Sequence, residues 1–241
     1  MDEQFERTKI LIGKDGLNKL LNAKVLIVGV GGVGSFVAEF LARAGVGNIT
    51  VIDNDVISSS NINRQLVALH STIGQSKVDV IEKRIKDINP SCEVSKHNSF
   101  LNEINVDEIL LEKKYNIVID AIDSLNPKTT LLEKAYAHGI KIVSSMGAGS
   151  KKDPTKIEIC DISKTKYCPL ARRVRKKLRS NGINKGIKVV YSSELPAPHD
   201  GHEEVGQGKP RSINGTMPYL PAAFGIALSS EVLEIIINST K

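Results

Sequence analysis

Short apolar runs alternate along this chain with longer segments in which apolar residues recur at helical spacing. The apolar runs predict strands at residues 25–28, 49–53, 92–95, 116–121, 140–145, 156–160 and 187–192. The longer segments predict helices at residues 75–89, 105–114 and 127–139. The first of these helices has an apolar face formed by Val78, Ile81, Ile85 and Ile88. Residues 116–121 are almost continuously apolar, as expected for a strand that is buried on both faces.

Strands that alternate with helices of ten to fifteen residues predict right-handed crossovers between parallel strands. We therefore expect an α/β fold, a doubly wound, mainly parallel sheet of Rossmann type with a smaller C-terminal extension. The expected segments are an N-terminal helical segment (1–22), which is a candidate dimer contact, a nucleotide-binding core (23–150), and an extension (151–241). The extension combines a basic helix, a mobile Gly/Pro-rich loop at 196–215, and a terminal helix.

Composition adds little to this picture but excludes several classes of protein. Of the 241 residues, 41% are hydrophobic and 25% are charged, which is ordinary for a soluble globular protein. The N-terminus lacks the pattern of a secretory signal, and the apolar run 226–237 is too short to cross a bilayer unaided. Three cysteines without C-x-x-C spacing favour reduced thiols over disulfides or a zinc knuckle. We therefore expect a cytoplasmic protein with no membrane span.

A glycine-rich turn follows the first predicted strand. Gly29 would permit a tight turn, Gly31 would let the backbone approach a phosphate, and Gly34 would let the next helix pack closely on the strand. Free amides at the start of that helix would face the anion. This spacing predicts a nucleotide site, although a tight strand-to-helix turn without a ligand has the same pattern.

Acidic residues follow two other predicted strands. Asp53 ends the second strand about twenty residues after the glycines, where a partner for a ribose hydroxyl is expected. The alternative is an aspartate that starts a turn before Asn54 and Asp55. Asp123 follows the strand at 116–121. Because ligands of parallel sheets bind beyond the carboxyl ends of the strands, the glycines, Asp53 and Asp123 converge on one predicted crevice.

Five motifs in order resemble the adenylating domain of the ubiquitin-activating-enzyme-like (ThiF/MoeB-type) superfamily. All five come after the glycine run GVGGVG, which contains an extra glycine, Gly32. The motifs are AGVG (44–47), IDND (52–55), SNINRQ (60–65), GQSKV (74–78) and DAID (120–123). Within that superfamily the chain is most similar to the tRNA threonylcarbamoyladenosine dehydratases. The stretches that carry this similarity are ERT (6–8), LIG (11–13), AIDS (121–124), PK (127–128), GAG (147–149), DPT (153–155) and SSE (192–194). The resemblance implies an enzyme that uses ATP to close the threonylcarbamoyl group of tRNA adenosine-37 into a ring.

The resemblance also assigns roles to individual residues. The implied ATP contacts are Gly29, Gly31, Gly32, Gly34, Asp53, Asp55, Asn61 and, from the neighbouring subunit of a homodimer, Arg7. Adenylation brings a carboxylate to the α-phosphate of ATP, so cations are needed to offset the repulsion between the two anions. Arg64 could fork across phosphate oxygens, and Lys77 in the first turn of its helix could act as a point charge. The alternatives are a solvated loop arginine and a surface helix lysine.

Two aspartates near the end of the predicted strand at 116–121 are expected to have different roles. Asp123 lies just past the strand, where a carboxylate could hold Mg²⁺ against the triphosphate. Asp120 lies inside the strand, so we expect it to accept hydrogen bonds as a structural residue. The expected catalytic residues are Arg64, Lys77 and Asp123, and the expected cofactors are ATP and Mg²⁺.

The positive charge of the chain is concentrated in residues 164–188. This segment holds ten of the 33 Lys and Arg residues and no acidic residue, which leaves 23 basic against 27 acidic residues elsewhere. Leu170, Val174 and Leu178 form an apolar stripe at helical spacing. The cations of this helix are Arg172, Arg173, Arg175, Lys176, Lys177 and Arg179. We expect them to contact tRNA phosphates and not DNA, with a solvated surface helix or an anionic protein or membrane surface as alternatives.

The competing functions are an activating enzyme for a ubiquitin-like sulfur carrier and, from other classes, an NAD-dependent oxidoreductase or a nucleotide-sensing module. Residues 211–216 contain no cysteine, which weakens the sulfur-carrier hypothesis. Neither the oxidoreductase nor the nucleotide-sensing hypothesis explains Arg64 and Lys77. Tyr167 is the only aromatic residue near the basic helix, so the sequence gives no evidence of base stacking. Residues 199–204 lack a recognised metal spacing. Some relatives act beside a cysteine desulfurase and sulfur-acceptor system, which is a candidate partner.

Overall fold

The structure is a computed structural model that describes residues 3–198, 202–203, 211–212 and 215–239. Its helices in this part of the chain are α1 (Glu6–Leu21), α2 (Gly34–Ala44), α3 (Lys77–Ile88), α4 (Val106–Leu111), α5 (Leu125–Ala137), α6 (Pro169–Ser180) and α7 (Tyr219–Ile237). The strands of the main sheet are β1 (Lys24–Val28), β2 (Asn48–Ile52), β3 (Glu93–His97), β4 (Ile117–Asp120), β5 (Ile142–Ser145), β6 (Ile157–Asp161) and β7 (Lys188–Ser192).

The seven strands form one sheet in the order β3-β2-β1-β4-β5-β7-β6. Six of them are parallel, and β6 pairs with β7 in the antiparallel direction. The predicted α/β fold with a mainly parallel, doubly wound sheet is confirmed. In the register of β1, Val28 lies beside Ile52 of β2 and Asp120 of β4. The carboxyl ends of these three strands therefore lie at one level.

Alternate residues of the central strand point into two different cores. Val25 and Ile27 belong to the core shared with α1, α2, α3 and α7, whereas Leu26 and Val28 belong to the core shared with α4 and α5. A third apolar cluster joins α5 and α6 to the β5–β7 side of the sheet. Burial on both faces explains why β1, β2 and β4 read as continuous apolar runs in the sequence.

The structure changes two expectations for the C-terminal extension. Within the stretch 196–215, residues His202–Glu203 (β8) and Arg211–Ser212 (β9) pair as short antiparallel strands. Residues 199–201, 204–210 and 213–214 lie outside the described residues, so the mobility of the loop and the role of residues 199–204 stay predictions. Helix α7 begins seven residues before the apolar run 226–237 and contains 19 residues.

Among the described helices, α7 alone is long enough and apolar enough to cross a membrane, judged by length and composition only. Its Leu220, Phe224 and Leu228 are fully buried, and they pack in the core shared with α1, α2 and α3. The apolar character of α7 is thus used for packing within this fold.

Candidate active site

The glycine turn has the backbone geometry that the sequence predicts. Gly29 has a φ of +90°, and a Cβ there would lie 2.9 Å from the carbonyl oxygen of Ala121. A Cβ on Gly34 would lie 1.8 Å from the carbonyl oxygen of Gly29, so only glycine lets α2 start this close to the strand. A Cβ on Gly31 would meet nothing nearer than 3.7 Å. The open side of this turn leaves its backbone accessible, and a phosphate contact there stays a prediction.

Gly32 lies against the C-terminal helix. A Cβ on Gly32 would lie 3.2 Å from Pro221 of α7 and 3.5 Å from the carbonyl oxygen of Arg64. The C-terminal helix and the Arg64 loop therefore both pack on the glycine turn, and a larger residue at position 32 would push them away.

Asp53 links the end of β2 to the glycine turn. Its carboxylate accepts hydrogen bonds from the amide of Val30 at 2.8 Å and the amide of Asp55 at 2.9 Å. Burial raises the pKa of the Asp53 carboxyl above its ordinary value, and the charge of Lys77 opposes that shift. The carboxylate thus fixes the turn as well as facing the crevice, and its contact with a ribose stays a prediction.

Lys77 is the first residue of α3 and is buried. Its ammonium lies 2.6 Å from a carboxylate oxygen of Asp55, and its amide donates to the carbonyl oxygen of Asp55 at 3.1 Å. The Asp55 side chain is 61% exposed, whereas that of Lys77 is 5% exposed. The alternative of a surface helix lysine is therefore excluded, since the ammonium is buried and pairs with a carboxylate that faces solvent.

Arg64 is half-buried and is held by its own loop. Its guanidinium donates to the carbonyl oxygen of Ser60 and to the side-chain oxygen of Asn63, both at 2.9 Å. Asn61 accepts a hydrogen bond from the amide of Ser58 at 3.2 Å. The loop carries these polar side chains beside the glycine turn, because the carbonyl of Arg64 packs on Gly32.

Asp123 and Asp120 have opposite environments. Asp123 is exposed beyond the end of β4, and one of its oxygens accepts a hydrogen bond from the hydroxyl of Ser124 at 3.2 Å. Asp120 is fully buried and pairs with the ammonium of Lys128 at 2.5 Å. Asp120 also accepts hydrogen bonds from the hydroxyl of Ser144 and the amide of Ile122. The structural role expected for Asp120 is confirmed by these contacts.

The metal-binding capacity of the site depends on the His, Cys, Asp and Glu side chains in the described part of the chain. No group of three or more His, Cys, Asp or Glu side chains there is arranged to hold a metal ion. Magnesium in nucleotide sites takes one or two carboxylates and completes its shell with phosphate oxygens and water. The exposed carboxylate of Asp123 fits such a ligand set.

Arg7 follows Phe5, which marks where the start of α1 lies relative to the glycine turn. Phe5 packs against Gly45, at the end of α2 opposite the turn, and α2 spans about 16 Å at 1.5 Å per residue. Helix α1 is broken at Gly13, whose φ is +75°. The backbone of Arg7, two residues after Phe5, therefore lies near the end of α2 that is remote from the crevice of its own chain.

The basic segment forms helix α6, as the sequence predicts. Its buried face consists of Ala171, Val174 and Leu178, while Leu170 is half-buried. The cations of α6 that are exposed are Arg172, Arg173, Lys176 and Arg179. Two others are engaged: Arg175 donates to the carbonyl and hydroxyl oxygens of Thr165, and Lys177 donates to Asn126 at 3.2 Å. Arg175 therefore has a structural contact that the sequence did not indicate.

Two polar residues of the site were missed by the sequence analysis. Lys128 neutralises Asp120, and the need of a buried strand carboxylate for a cation could have pointed to it. Gln65 is buried with its amide nitrogen 3.7 Å from a Cβ placed on Gly31, and its side-chain oxygen has no hydrogen-bond partner among the described residues. Its place in the SNINRQ motif was the available signal.

Comparisons with known proteins agree with this geometry. The model of the ThiF family matches residues 5–241. The tRNA threonylcarbamoyladenosine dehydratase of Bacillus subtilis (strain 168) is 43% identical over 240 residues, which covers 97% of this chain and 94% of that protein. The protein of the same name from Escherichia coli (strain K12) is 40% identical over 199 residues, covering 80% and 74%.

Solved structures agree as well. A crystal structure of E. coli tRNA N6-threonylcarbamoyladenosine dehydratase in complex with ATP has a TM-score of 0.89 and 36% sequence identity to this chain. The match covers 98% of this chain and 94% of that one. The fold and its similarity to an ATP-bound protein thus extend over nearly the whole chain.

Proposed function

We propose that this chain, which belongs to the ThiF family and within it to the tRNA threonylcarbamoyladenosine dehydratases, uses ATP to close the threonylcarbamoyl group of tRNA adenosine-37 into a ring. The observation that carries the proposal is the gathering of the glycine turn, Asp53, Lys77 and the Arg64 loop at the carboxyl edge of one parallel sheet. Similarity over almost the full length to dehydratases, one of them solved with ATP, supports it.

The first step is adenylation of the carboxylate. A carboxylate oxygen of the threonylcarbamoyl group attacks the α-phosphorus of ATP, and the bond to pyrophosphate breaks. Negative charge then grows on the leaving pyrophosphate while two anions approach each other. Lys77 supplies a buried positive charge at this crevice, and Arg64 supplies a planar guanidinium beside the glycine turn. Positioned cations in a site that excludes water stabilise such charge more strongly than free ions do.

The second step is ring closure. A nucleophilic atom of the same modified nucleoside attacks the activated carbonyl, loses its proton, and displaces AMP. The oxygen lost from the substrate leaves with AMP, so the nucleoside loses the elements of one water. Proximity within one nucleoside favours this step without a covalent enzyme intermediate. Asp123 would hold Mg²⁺, which shields the triphosphate charge when bound.

The tRNA is proposed to lie across α6. Cys168, which precedes α6, lies 3.8 Å from a Cβ placed on Gly147, just beyond the end of β5. The helix therefore begins at the same sheet edge as the nucleotide crevice. Its exposed cations face solvent, where they would contact RNA phosphates without regard to sequence.

A homodimer would complete the site. The first half of α1 ends at the break at Gly13 and exposes Ile10 (77%) and Leu11 (85%), which is an apolar pair suited to a subunit contact. Because the backbone of Arg7 lies near the end of α2 remote from its own crevice, a second subunit is the proposed route by which Arg7 would bind ATP. Mixing inactive Arg7→Ala and Lys77→Met chains would then create one intact site per mixed dimer and restore activity. Absence of that recovery would remove Arg7 from the site.

The proposed activity has a direct test. Purified protein is incubated with ATP, Mg²⁺ and tRNA that carries threonylcarbamoyladenosine, and the nucleoside is followed by mass spectrometry. The expected result is loss of one water together with release of AMP and pyrophosphate. An unchanged nucleoside with folded protein would contradict the proposal, and adenylation of a sulfur-carrier C-terminus would favour the competing function. A cytoplasmic location and a cysteine desulfurase partner belong to the same proposal, and affinity capture of that partner would test the latter.

A further inference from the structure

We infer that Tyr167 is a stacking platform for an unpaired base of the RNA substrate, placed at the entrance to the adenylation crevice. The inference rests on the proposed tRNA substrate and adds a contact to bases that the sequence did not reveal. Three observations carry it: the strained backbone of Tyr167, the exposure of its side chain, and its position between the crevice and the basic helix.

The backbone at Tyr167 is in a conformation that bulky residues seldom adopt. Its φ is +59°, and the amide of Cys168 donates to the carbonyl oxygen of Lys166 at 2.7 Å. These features describe a γ-turn with positive φ at its central residue, which is a rare and strained turn. Strain of this kind persists where the surroundings impose it, and it concentrates at binding sites.

Both sides of the turn are fixed by buried contacts. Thr165 is buried, donates its hydroxyl to the carbonyl oxygen of Ile162 at 2.8 Å, and accepts the guanidinium of Arg175. Cys168 is buried, and its sulfur accepts the amide of Ala171 at the start of α6. The residue between these anchors is forced outward.

Tyr167 is 60% exposed, which makes it the most exposed aromatic side chain among the described residues. No described residue makes a ring-stacking contact with it. Four exposed cations lie within six residues of Tyr167 in the sequence: Lys164, Lys166, Arg172 and Arg173. An exposed ring within a cluster of cations is the combination that proteins use to hold unpaired nucleotides, with charges on the phosphates and an aromatic face on a base.

The position of the ring connects the two parts of the proposed site. Cys168, the next residue, packs on Gly147 just beyond the end of β5, and the carbonyl oxygen of Ser145 at that end binds Lys128. Tyr167 therefore lies at the carboxyl edge of the sheet, on the side where Asp123 follows β4. A base stacked there would neighbour the nucleoside that enters the crevice.

The test uses five variants, three at Tyr167 and two at Tyr136. Tyr167→Asn removes the ring with a residue that tolerates positive φ, and Tyr167→Phe keeps the ring without the hydroxyl. Tyr136, exposed in the last turn of α5 at the opposite sheet edge, gives the matched control Tyr136→Asn. The chain has no tryptophan, so Tyr167→Trp and Tyr136→Trp each introduce one fluorescent reporter.

We expect Tyr167→Asn to raise the KM and Kd for tRNA about 5- to 150-fold, the range that one stacked base supplies. The KM for ATP should not change, and the melting temperature should be equal or higher because the backbone strain is relieved. The salt dependence of binding should keep its slope, since no phosphate contact is lost. Tyr167→Phe and Tyr136→Asn should bind tRNA as the parent does, and tRNA should quench Tyr167→Trp but not Tyr136→Trp.

An unchanged tRNA affinity in Tyr167→Asn, or no quenching of Tyr167→Trp, would overturn the inference. Dissociation of the oligomer in Tyr167→Asn would overturn it too, because the ring would then face a protein partner. The proposed function is tested separately, by the activity of the parent protein. If the parent protein leaves the nucleoside unchanged but Tyr167→Asn still weakens tRNA binding, the stacking role of Tyr167 is supported and the dehydratase activity is contradicted.

Discussion

Two lysines lie in the first turns of helices at the carboxyl edge of the same sheet, and each pairs with an aspartate at or shortly after the end of a strand. Lys77 begins α3 and lies 2.6 Å from Asp55, which follows β2, whereas Lys128 lies in the first turn of α5, 2.5 Å from Asp120 of β4. The second pair is completely buried. In the first, the aspartate is mostly exposed.

The difference separates a structural ion pair from one that can exchange its partner. Asp120 and Lys128 are both out of water, so neither can lose the other without leaving a charge in a low-dielectric interior. Asp55 can be solvated when Lys77 turns toward a phosphate. Similar sequence positions thus give one pair that holds the β4 and β5 strand ends together and one that is available for chemistry.

The largest effect is expected at Lys128. Lys128→Met should lower the free energy of unfolding by about 3–5 kcal/mol, because it leaves the Asp120 carboxylate buried without its cation. Urea denaturation followed by circular dichroism measures the loss. Lys128→Met combined with Asp120→Leu removes both charges and should recover much of the stability. If Lys128→Met alone were as stable as the parent protein, the Lys128–Asp120 pair would not be the structural ion pair described here.

Lys77→Met is expected to have the opposite pattern. Dehydration should fall about 10²- to 10³-fold in kcat/KM, which is the loss typical of one positioned charge stabiliser. The free energy of unfolding should change by less than about 1 kcal/mol, since the remaining Asp55 is solvated as the partners of surface ion pairs are. A variant that unfolds like Lys128→Met, or one that keeps full turnover, would contradict the assignment.

Arg64 is expected to have a smaller effect on turnover than Lys77. Arg64→Ala should lower kcat/KM by about 10- to 100-fold, since hydrogen bonds to charged groups contribute about 1.5–3 kcal/mol. Arg64→Lys should not restore it, because a point charge cannot fork across two phosphate oxygens. Asn63→Ala, which removes one anchor of the guanidinium, is the control for loop order. Recovery of full activity in Arg64→Lys would show that charge alone suffices.

The smallest effects are expected on α6. Arg172→Ala and Arg173→Ala should each raise the KM for tRNA several-fold and reduce the salt slope of binding by about one unit per lost phosphate contact. Arg175→Ala should instead lower the melting temperature, because its guanidinium holds Thr165. Equal effects of Arg172 and Arg175 on the salt slope would contradict the division between exposed and engaged cations.

The sequence predicts the first half of the molecule better than the second. The positive φ at Gly29 and the close packing at Gly34 follow from one motif, and the positions of β1, β2 and β4 along the chain follow from local apolar runs. The antiparallel direction of β6 and the pairing of β8 with β9 depend on contacts between distant segments, for which periodicity carries no signal.

The same limit applies within the site. Asp53, Asp55 and Lys77 belong to two of the sequence motifs, and the structure brings the three residues together. The partner of Asp120 and the γ-turn at Tyr167 arise from packing of α5 and of the segment before α6, so composition alone could not show them. The contact of Arg175 with Thr165 is hidden for the same reason, because both residues lie in a segment that reads as uniformly basic.

The central claim is that ATP activates the carboxylate of the modified tRNA at its α-phosphate. The most direct test uses tRNA whose threonylcarbamoyl carboxylate carries oxygen-18, with mass spectrometry of every product after one round of dehydration. The account predicts one labelled oxygen in AMP for each ring formed and none in pyrophosphate. Label in inorganic phosphate with formation of ADP, or ring formation with unlabelled AMP, would contradict it.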